Sequence, residues 1–284
     1  MQSLLQRNAL VVFFSVAAAC SPAEANPRKQ SEMETGPRDL MVNAFNFAYQ
    51  SPDTIPAGLT RIRMQNSGPD QHHVTLVRLE DGRTIRDLLA RIEANEYNPS
   101  WVTYVGGPEP GPIGEDTNAI MDLAPGNYVL LCFISGEDGI RHLAKGMVRP
   151  LTVVPTPGSR KESPEVRADV RMVLSDYAFE MTPTVTPGRR TIRVENHANQ
   201  PHHADIVRIV DGKTMADVNA WMKNHEGPPP YVPVGGVSPI APGQVNYFTA
   251  DFVPGNYILV CFFPDANDGK PHIRHGMVRE FKVE

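Results

Sequence analysis

The chain contains two matched sets of side chains that bind soft metal ions. Each set has a histidine, a cysteine, a second histidine and a methionine, in this order: His72, Cys132, His142 and Met147, then His202, Cys261, His272 and Met277. Two imidazoles, a thiolate and a weak thioether are the donors of a blue copper site. The sulfur donors hold Cu(I) and the imidazoles accept both oxidation states, so such a site can gain and lose one electron. Zinc is the weaker interpretation, because it has little use for methionine.

Each of these residues, taken singly, also has a purely structural interpretation. A lone buried cysteine is usually a small hydrophobic residue, and a methionine usually fills a core. The joint pattern favours metal binding, because all four types occur in one order, twice, at nearly the same spacing.

The two sets belong to an internal repeat with an offset of 129 or 130 residues. Val-Gly-Gly, Pro-Gly-Asn-Tyr and Gly-Met-Val-Arg also recur, starting at Val105 and Val234, Pro125 and Pro254, and Gly146 and Gly276. The repeat predicts two domains of one fold, residues 39–154 and 170–284, joined by the linker 155–169.

Most of each repeat has the pattern of short β-strands. Apolar and polar residues alternate in Thr60–Asn66 and Thr191–Asn196, as expected for half-buried strands. Frequent proline and glycine turns favour an all-β, antiparallel sandwich or barrel. Asn118–Leu123, Pro-Gly-Asn and Tyr128–Phe133 are typical of two strands joined by a tight turn. One helix is predicted in each repeat, at Ile85–Ala94 and Met215–Lys223, with Thr84 and Thr214 as N-caps.

Strand alternation predicts where the reactive side chains point. His72 and His202 share the face of apolar neighbours and should point inward. His73 and His203 should point to the opposite, more polar face. The cysteines share a face with buried tyrosines and should lie at the ends of buried strands.

At these residues the chain resembles the cupredoxins, the family of plastocyanin and azurin. That family has a Greek-key β-sandwich, and its first ligand is a histidine after a strand that ends in asparagine. Its other three ligands lie in a Cys-His-Met loop near the end of the domain. The resemblance covers nearly all of the chain after residue 38, once per repeat, and rests on these residues: Asn66, His72, Cys132, His142 and Met147, and Asn196, His202, Cys261, His272 and Met277. It implies two mononuclear type 1 copper sites and a function in electron transport.

One ligand in the second repeat has a competitor. His275 also lies in the Cys-His-Met loop, but Lys145 stands at the matching position of the first repeat, which favours His272. The Cys-to-His separations of ten and eleven residues are longer than in the small electron carriers of the family. The resemblance further implies that the second histidine ligand reaches the surface through an apolar patch, formed here by Phe133-Ile134 and Phe262-Phe263-Pro264.

The N-terminal segment predicts export and a lipid anchor. Arg7 precedes the apolar run Ala9–Ala19, which is too short to span a membrane, since a spanning helix needs about 20 apolar residues. Ala17–Cys20 is similar to a bacterial lipobox, in which the cysteine is lipidated. Cleavage without lipidation is the alternative. Residues 21–38 have the composition of a flexible tether. We therefore expect a protein of the periplasm or cell envelope that contacts the membrane only through Cys20.

Composition and motifs reduce the number of possible function classes. A net charge of −5 disfavours nucleic-acid binding. The leading hypothesis is an electron carrier that serves a redox partner protein of the envelope. A copper nitrite reductase or laccase is the second. Such enzymes need further histidines, typically in His-x-His pairs, and the sequence has no such pair, although His73 and His203 could contribute to a second site between subunits. A copper carrier or storage protein is the third, and the tether lacks the Met/His-rich tracts that it would need.

Overall fold

The computed structural model describes residues 36–156 and 165–284. The predicted export signal and Cys20 lie outside these residues. Pro37–Glu284 forms one compact unit. No helix in the described part of the chain is long and apolar enough to cross a membrane.

The first repeat (residues 37–156) contains one helix and a succession of short strands. Its elements are β1 (Arg38–Phe45), β2 (Ala48–Gln50), β3 (Thr54–Pro56), β4 (Gly58–Asn66), β5 (Thr75–Leu79), α1 (Ile85–Glu93), β6 (Val102–Gly106), β7 (Asp116–Leu123), β8 (Gly126–Leu131) and β9 (Val148–Val154). A short 3-10 helix, His142–Lys145, lies between β8 and β9.

The second repeat (residues 165–284) has the same succession. Its elements are β10 (Val170–Ser175), β11 (Ala178–Thr182), β12 (Gly188–Asn196), β13 (His202–Ile209), α2 (Met215–Asn224), β14 (Tyr231–Ile240), β15 (Val245–Phe252), β16 (Gly255–Val260) and β17 (Val278–Val283). The matching 3-10 helix is His272–His275.

These strands form two sheets, and each sheet runs through both repeats. One has the order β11-β10-β12-β15-β7-β4-β1-β2, and the other β17-β16-β13-β14-β6-β5-β8-β9-β3. The repeats join where β15 pairs with β7 and where β14 pairs with β6. The predicted class, an all-β chain of two tandem Greek-key sandwiches with a short helix in each, is confirmed. The domain boundaries at the linker stay a prediction, because both sheets continue across the repeats.

The core of each repeat lies between its two sheets. In the first repeat Val42 and Met64 of one sheet pack with Leu76 and Leu130 of the other, all essentially without solvent exposure. Alternation along each strand places these side chains on one face, as the sequence pattern predicted. Burial of such large apolar side chains stabilises each by about 1.5–3 kcal/mol relative to exposure.

Both helices begin where the sequence predicted. The side chains of Thr84 and Thr214 accept hydrogen bonds from the backbone of Asp87 and Asp217, whose carboxylates bond back to the threonine amides. These are complete capping boxes, which satisfy backbone donors that a helix start otherwise leaves unpaired.

The predicted strand, tight turn and strand are present, but the Pro-Gly-Asn turn does not close a hairpin. β7 lies in one sheet and β8 in the other, so the turn carries the chain across the sandwich. Tyr128 holds the crossing, since its hydroxyl donates to the carbonyl oxygen of Ala124 at 2.7 Å, and Tyr257 does the same with Val253.

The repeated Val-Gly-Gly segments require glycine because two backbones approach closely there. A Cβ atom on Gly107 would lie 1.9 Å from the carbonyl oxygen of Val74, and one on Gly236 would lie 1.9 Å from that of Ala204. Both glycines have positive φ angles, 131° and 150°. Each Gly-Gly segment therefore lies against the residue two positions after the first histidine of its site, Val74 or Ala204.

Candidate metal centres

The first cluster brings together His72, Cys132 and His142, which are all buried. Their potential ligand atoms lie within 4.8 Å of one another. The Nδ1 atoms of the two histidines are 3.1 Å apart, and the sulfur of Cys132 is 3.6 Å from Nδ1 of His142. Residues 70 positions apart in sequence thus present three donor atoms to one point.

Strand ends position these donors. His72 precedes β5, and Cys132 follows β8, the strand that pairs with β5. The loop after Cys132 folds back through two backbone bonds, from the amide of Leu143 to the carbonyl of Cys132 and from the amide of Met147 to the carbonyl of His142. Met147 is completely buried beside this loop.

Hydrogen bonding fixes which ring nitrogen of His72 faces the cluster. Asn46 donates from Nδ2 to Asp70, so its Oδ1 is free to accept from Nε2–H of His72 at 2.8 Å. In the neutral ring Nδ1 then carries the lone pair, and it points at Nδ1 of His142. A nitrogen lone pair that points at a second imidazole nitrogen and lies beside a sulfur fits a site for a bound cation.

The second cluster has the same construction. His202, Cys261 and His272 are buried and bring their donor atoms within 4.8 Å of one another. The sulfur of Cys261 lies 3.4 Å from Nδ1 of His272 and 3.9 Å from Nδ1 of His202. Nε2 of His202 bonds to Oδ1 of Asp176 at 3.0 Å, so a carboxylate takes the place that Asn46 has in the first repeat. Met277 is completely buried beside this loop, as Met147 is in the first repeat.

In the first centre, burial shifts the titration of the donors toward their neutral forms. Desolvation, with a contribution from the neighbouring His142, lowers the pKa of His72 to about 4. Burial likewise raises the pKa of Cys132 to about 12. The neutral imidazoles of His72 and His142 are ready to bind a metal, whereas the Cys132 thiol must release its proton on binding.

The histidines expected at the surface are covered. His142 and His272 have no solvent exposure, which corrects the expectation that they reach the surface through an apolar patch. The ring of Phe47 lies 4.8 Å from that of His142, and the ring of Tyr177 lies 5.6 Å from that of His272. Nε2 of both histidines is buried without a hydrogen-bond partner in the described chain. The residues that cover these histidines come from the segments after β1 and β10. The sequence of the Cys-His-Met loops gave no indication of this contact.

His275, the competing candidate, lies outside the second cluster. Its Nε2 bonds to Oδ1 of Asp268 at 3.2 Å, and the two residues form a partly exposed group with Asp265. Lys145 occupies the same place in the first repeat and pairs with Asp138 at 2.8 Å. The structure therefore brings His272 to Cys261, as the sequence favoured.

The second histidine of each pair builds a bridge between the repeats. Nδ1 of His73 lies 3.1 Å from Oε2 of Glu109, and Nδ1 of His203 lies 3.2 Å from Oε1 of the same carboxylate. Ser238 donates a further hydrogen bond to Glu109 at 2.8 Å. His73 and His203 point away from the sandwich cores, as alternation predicted, but the neighbouring repeat buries them.

The bridge has defined protonation states. The backbone amide of Phe133 donates to Nε2 of His73, and that of Phe262 donates to Nε2 of His203. Each Nε2 therefore carries a lone pair and each Nδ1 carries the proton that it donates to Glu109. Burial alone would raise the pKa of Glu109, but these donors outweigh it and lower the pKa, so the carboxylate is ionised.

Sequence reasoning gave no role to Glu109. Glu109 and Ser238 occupy equivalent places two residues after Gly-Gly in the two repeats. That equivalence could have indicated that the two residues meet where the repeats are in contact. The repeat does not single them out as a site, because only Glu109 is ionisable. Phe133 and Phe262 directly follow the candidate ligands Cys132 and Cys261, so the bridge connects the two clusters.

Similar folds occur among solved structures. Auracyanin from Roseiflexus castenholzii is 22% identical over 42% of this chain and 100% of that chain, with a TM-score of 0.32. The "blue" copper protein auracyanin A from Chloroflexus aurantiacus is 20% identical, with the same coverages and a TM-score of 0.30. The copper nitrite reductase from Nitrosomonas europaea is 12% identical over 88% of this chain and 94% of that chain, with a TM-score of 0.27.

No protein-family model and no curated protein matches the sequence. Because the TM-scores of the solved structures named above are below 0.5, the fold assignment rests on the strands and sheets themselves, and the copper assignment on the two His-Cys-His clusters.

Proposed function

We propose that the protein is an exported electron carrier with one type 1 copper site in each repeat. The observation that carries this proposal is the doubled convergence of two imidazole nitrogens on one cysteine sulfur. His72, Cys132, His142 and Met147 would hold the first copper, and the second site would use the matching residues His202, Cys261, His272 and Met277. Bound copper would supply one-electron redox chemistry.

The protein's own residues keep such sites rigid and dry. Asn46 and Asp176 orient the first histidine of each site, and backbone bonds close the Cys-His-Met loops. Fixed donors change little between oxidation states, which favours fast electron transfer over bond making. Burial of all three strong donors excludes water, and this supports a carrier over an enzyme that admits substrate to the metal.

A catalytic copper site, the alternative function, would need further histidine ligands, and His73 and His203 are the candidates for them. Both of their ring nitrogens already bond to Glu109 and to backbone amides. Binding of a metal by these residues would break the bridge between the repeats. Their hydrogen bonds therefore support the carrier proposal.

Reversible redox cycling tests this function. Copper-loaded protein should be reduced by ascorbate and reoxidised by ferricyanide through many cycles without loss of metal. It should not turn over nitrite or oxygen at enzymatic rates. Steady turnover of either substrate would overturn the carrier proposal in favour of an enzyme, and rapid loss of copper to a moderate chelator without unfolding would favour a copper donor.

We also propose that the mature protein is anchored in the cell envelope through a lipid on Cys20 and serves a redox partner protein there. The test is the mass of the mature N-terminus together with partition between membrane and soluble fractions. Cys20→Ser should move the protein to the soluble fraction. A soluble wild-type protein that lacks residue 20 would contradict the anchor.

A further inference from the structure

A deep cleft lies where the two repeats meet, and the function proposed above does not use it. Its volume is about 770 Å³, within the range of roughly 300–1,000 Å³ that is usual for small-molecule sites. The floor contains the bridge of His73, Glu109 and His203, with Asp205 beside it. Small-molecule sites occur preferentially at such junctions between domains.

Both walls of the cleft are aromatic. On the first repeat Tyr97, just after α1, packs edge-to-face against Phe133 at 6.4 Å. On the second repeat Trp221 of α2 packs edge-to-face against Tyr231 at 5.5 Å. The two helical insertions, which the repeat pattern left without a role, thus each contribute a ring to one cleft. Aromatic rings from both repeats in one cleft favour a flat, aromatic occupant.

The floor offers a hydrogen-bond acceptor. Asp205 is half-buried at the cleft, and its Oδ1 is buried without a hydrogen-bond partner among the described residues. Its counterpart in the first repeat is Thr75, so this acceptor occurs on one side only. Burial and the charge of Glu109 raise the pKa of Asp205, so a donor from a ligand would stabilise its carboxylate. The occupant should therefore carry an O–H group.

We propose that this cleft binds a hydroquinone-type molecule, an aromatic ring with hydroxyl groups, between Tyr97 and Trp221 with a hydroxyl on Asp205. The choice of an oxidisable ring rests on the proposed function. The cleft reaches Phe133 and Phe262, each one residue from a candidate copper-ligating cysteine. A hydroquinone loses two electrons and two protons to become a quinone. Two one-electron sites would take one electron each, and the protons would go to water in the open cleft.

The binding test uses calorimetric titration of hydroquinone into the full chain without metal and, separately, into the copper(I)-loaded protein. The expected result is saturable binding that both Trp221→Ala and Asp205→Ala weaken about tenfold, the loss expected from a stacked ring or a charged hydrogen bond. Asp211→Ala, at a side chain that is 92% exposed, is the matched control and should bind like the wild type. Circular dichroism of each variant checks folding, and Trp221→Phe, which keeps a ring, should retain most of the affinity.

Two further probes decide the chemistry. 1,4-Dimethoxybenzene has the same ring without a donor and should bind more weakly than hydroquinone. Benzyltrimethylammonium, the second probe, has an aromatic ring and a cation in place of the hydroxyl groups. The proposal would be overturned by absence of hydroquinone binding, by wild-type affinity in folded Asp205→Ala and Trp221→Ala variants, or by tighter binding of benzyltrimethylammonium than of hydroquinone. Because the metal-free protein is tested, this result is independent of whether copper binds. Failure of the carrier proposal would appear instead as absence of copper colour.

Discussion

Oε1 of Glu109 in the first repeat lies 3.2 Å from Nδ1 of His203 in the second. The same carboxylate accepts a hydrogen bond from His73 at 3.1 Å. Nε2 of each histidine accepts a hydrogen bond from the backbone amide of the residue after a cluster cysteine, Phe133 or Phe262. One side chain thereby joins the two candidate metal centres and holds the two repeats together. Its buried position makes it a sensitive point for substitution.

Glu109→Gln should destabilise the protein by about 2–3 kcal/mol. The amide keeps one acceptor oxygen, but its NH₂ group faces an N–H donor of the other imidazole, so one buried donor loses its partner. Urea unfolding of the metal-free chain measures the change in the free energy of unfolding. Glu115→Gln, at an exposed loop position, is the matched control and should change stability little. An unchanged free energy of unfolding in Glu109→Gln would show that the bridge contributes no stability.

The two centres should differ in reduction potential because their outer contacts differ in charge. His202 bonds to the carboxylate of Asp176, and His72 bonds to the amide of Asn46. Burial opposes ionisation of Asp176, but the hydrogen bond from His202 outweighs it and lowers the pKa, so Asp176 is charged at neutral pH. The negative charge stabilises the oxidised site, so the second centre should have the lower potential.

Asp176→Asn should raise the potential of the second centre by about 60 mV, a tenfold change in a one-electron equilibrium. The measurement is a potentiometric titration in the Cys132→Ser background, which isolates that centre. Asn46→Asp in the Cys261→Ser background is the reciprocal variant and should lower the potential of the first centre. Shifts of the opposite sign in both variants would refute this account of the difference.

Stability should depend on pH through Glu195. Its carboxylate bonds to Arg171 at 2.7 and 2.8 Å, to Arg193 at 2.8 Å and to His197 at 2.9 Å. The hydrogen bonds from Arg171 contribute most to lowering its pKa to about 2, from an ordinary value of 4.5. A lowered pKa stabilises the fold above the unfolded value, and this contribution disappears as pH falls from 4.5 toward 2.

Glu195→Gln should therefore lose about 1–2 kcal/mol at pH 7, a figure reduced for the screening of the half-exposed Arg171. The difference from the wild type should stay constant down to pH 5 and shrink below pH 4.5. Unfolding free energies of both proteins across this range provide the measurement, with the exposed Glu280→Gln as control. A difference that grows as pH falls would contradict the role assigned to Glu195.

The sequence was sufficient to predict which histidine and cysteine side chains converge, because the repeat contains each of them twice. Residue types, order and spacing selected His72, Cys132 and their counterparts, and alternation placed them inward. The capped helices were equally predictable, since Thr84 and Asp87 are close in sequence and act locally. Each of these predictions depends on short-range patterns or on direct repetition.

The features that the sequence left hidden depend on contacts between distant segments. Glu109 meets His203 only because β6 pairs with β14 across the repeats. Phe47 covers His142 and Tyr177 covers His272, each from a loop far away in the chain. The Pro-Gly-Asn turn has the same local sequence whether it joins neighbours or crosses a sandwich, so only the packing of β7 and β8 distinguishes the two.

The central claim is tested most directly by metal content and visible absorption of the copper-loaded full chain. The account predicts two copper ions per chain and an intense thiolate-to-copper band near ~600 nm, the signature of His₂Cys sites with a weak axial ligand. Cys132→Ser should remove about half of the band, and the double variant with Cys261→Ser should remove all of it. Full colour in the double variant, or copper binding without the band in the wild type, would contradict the assignment.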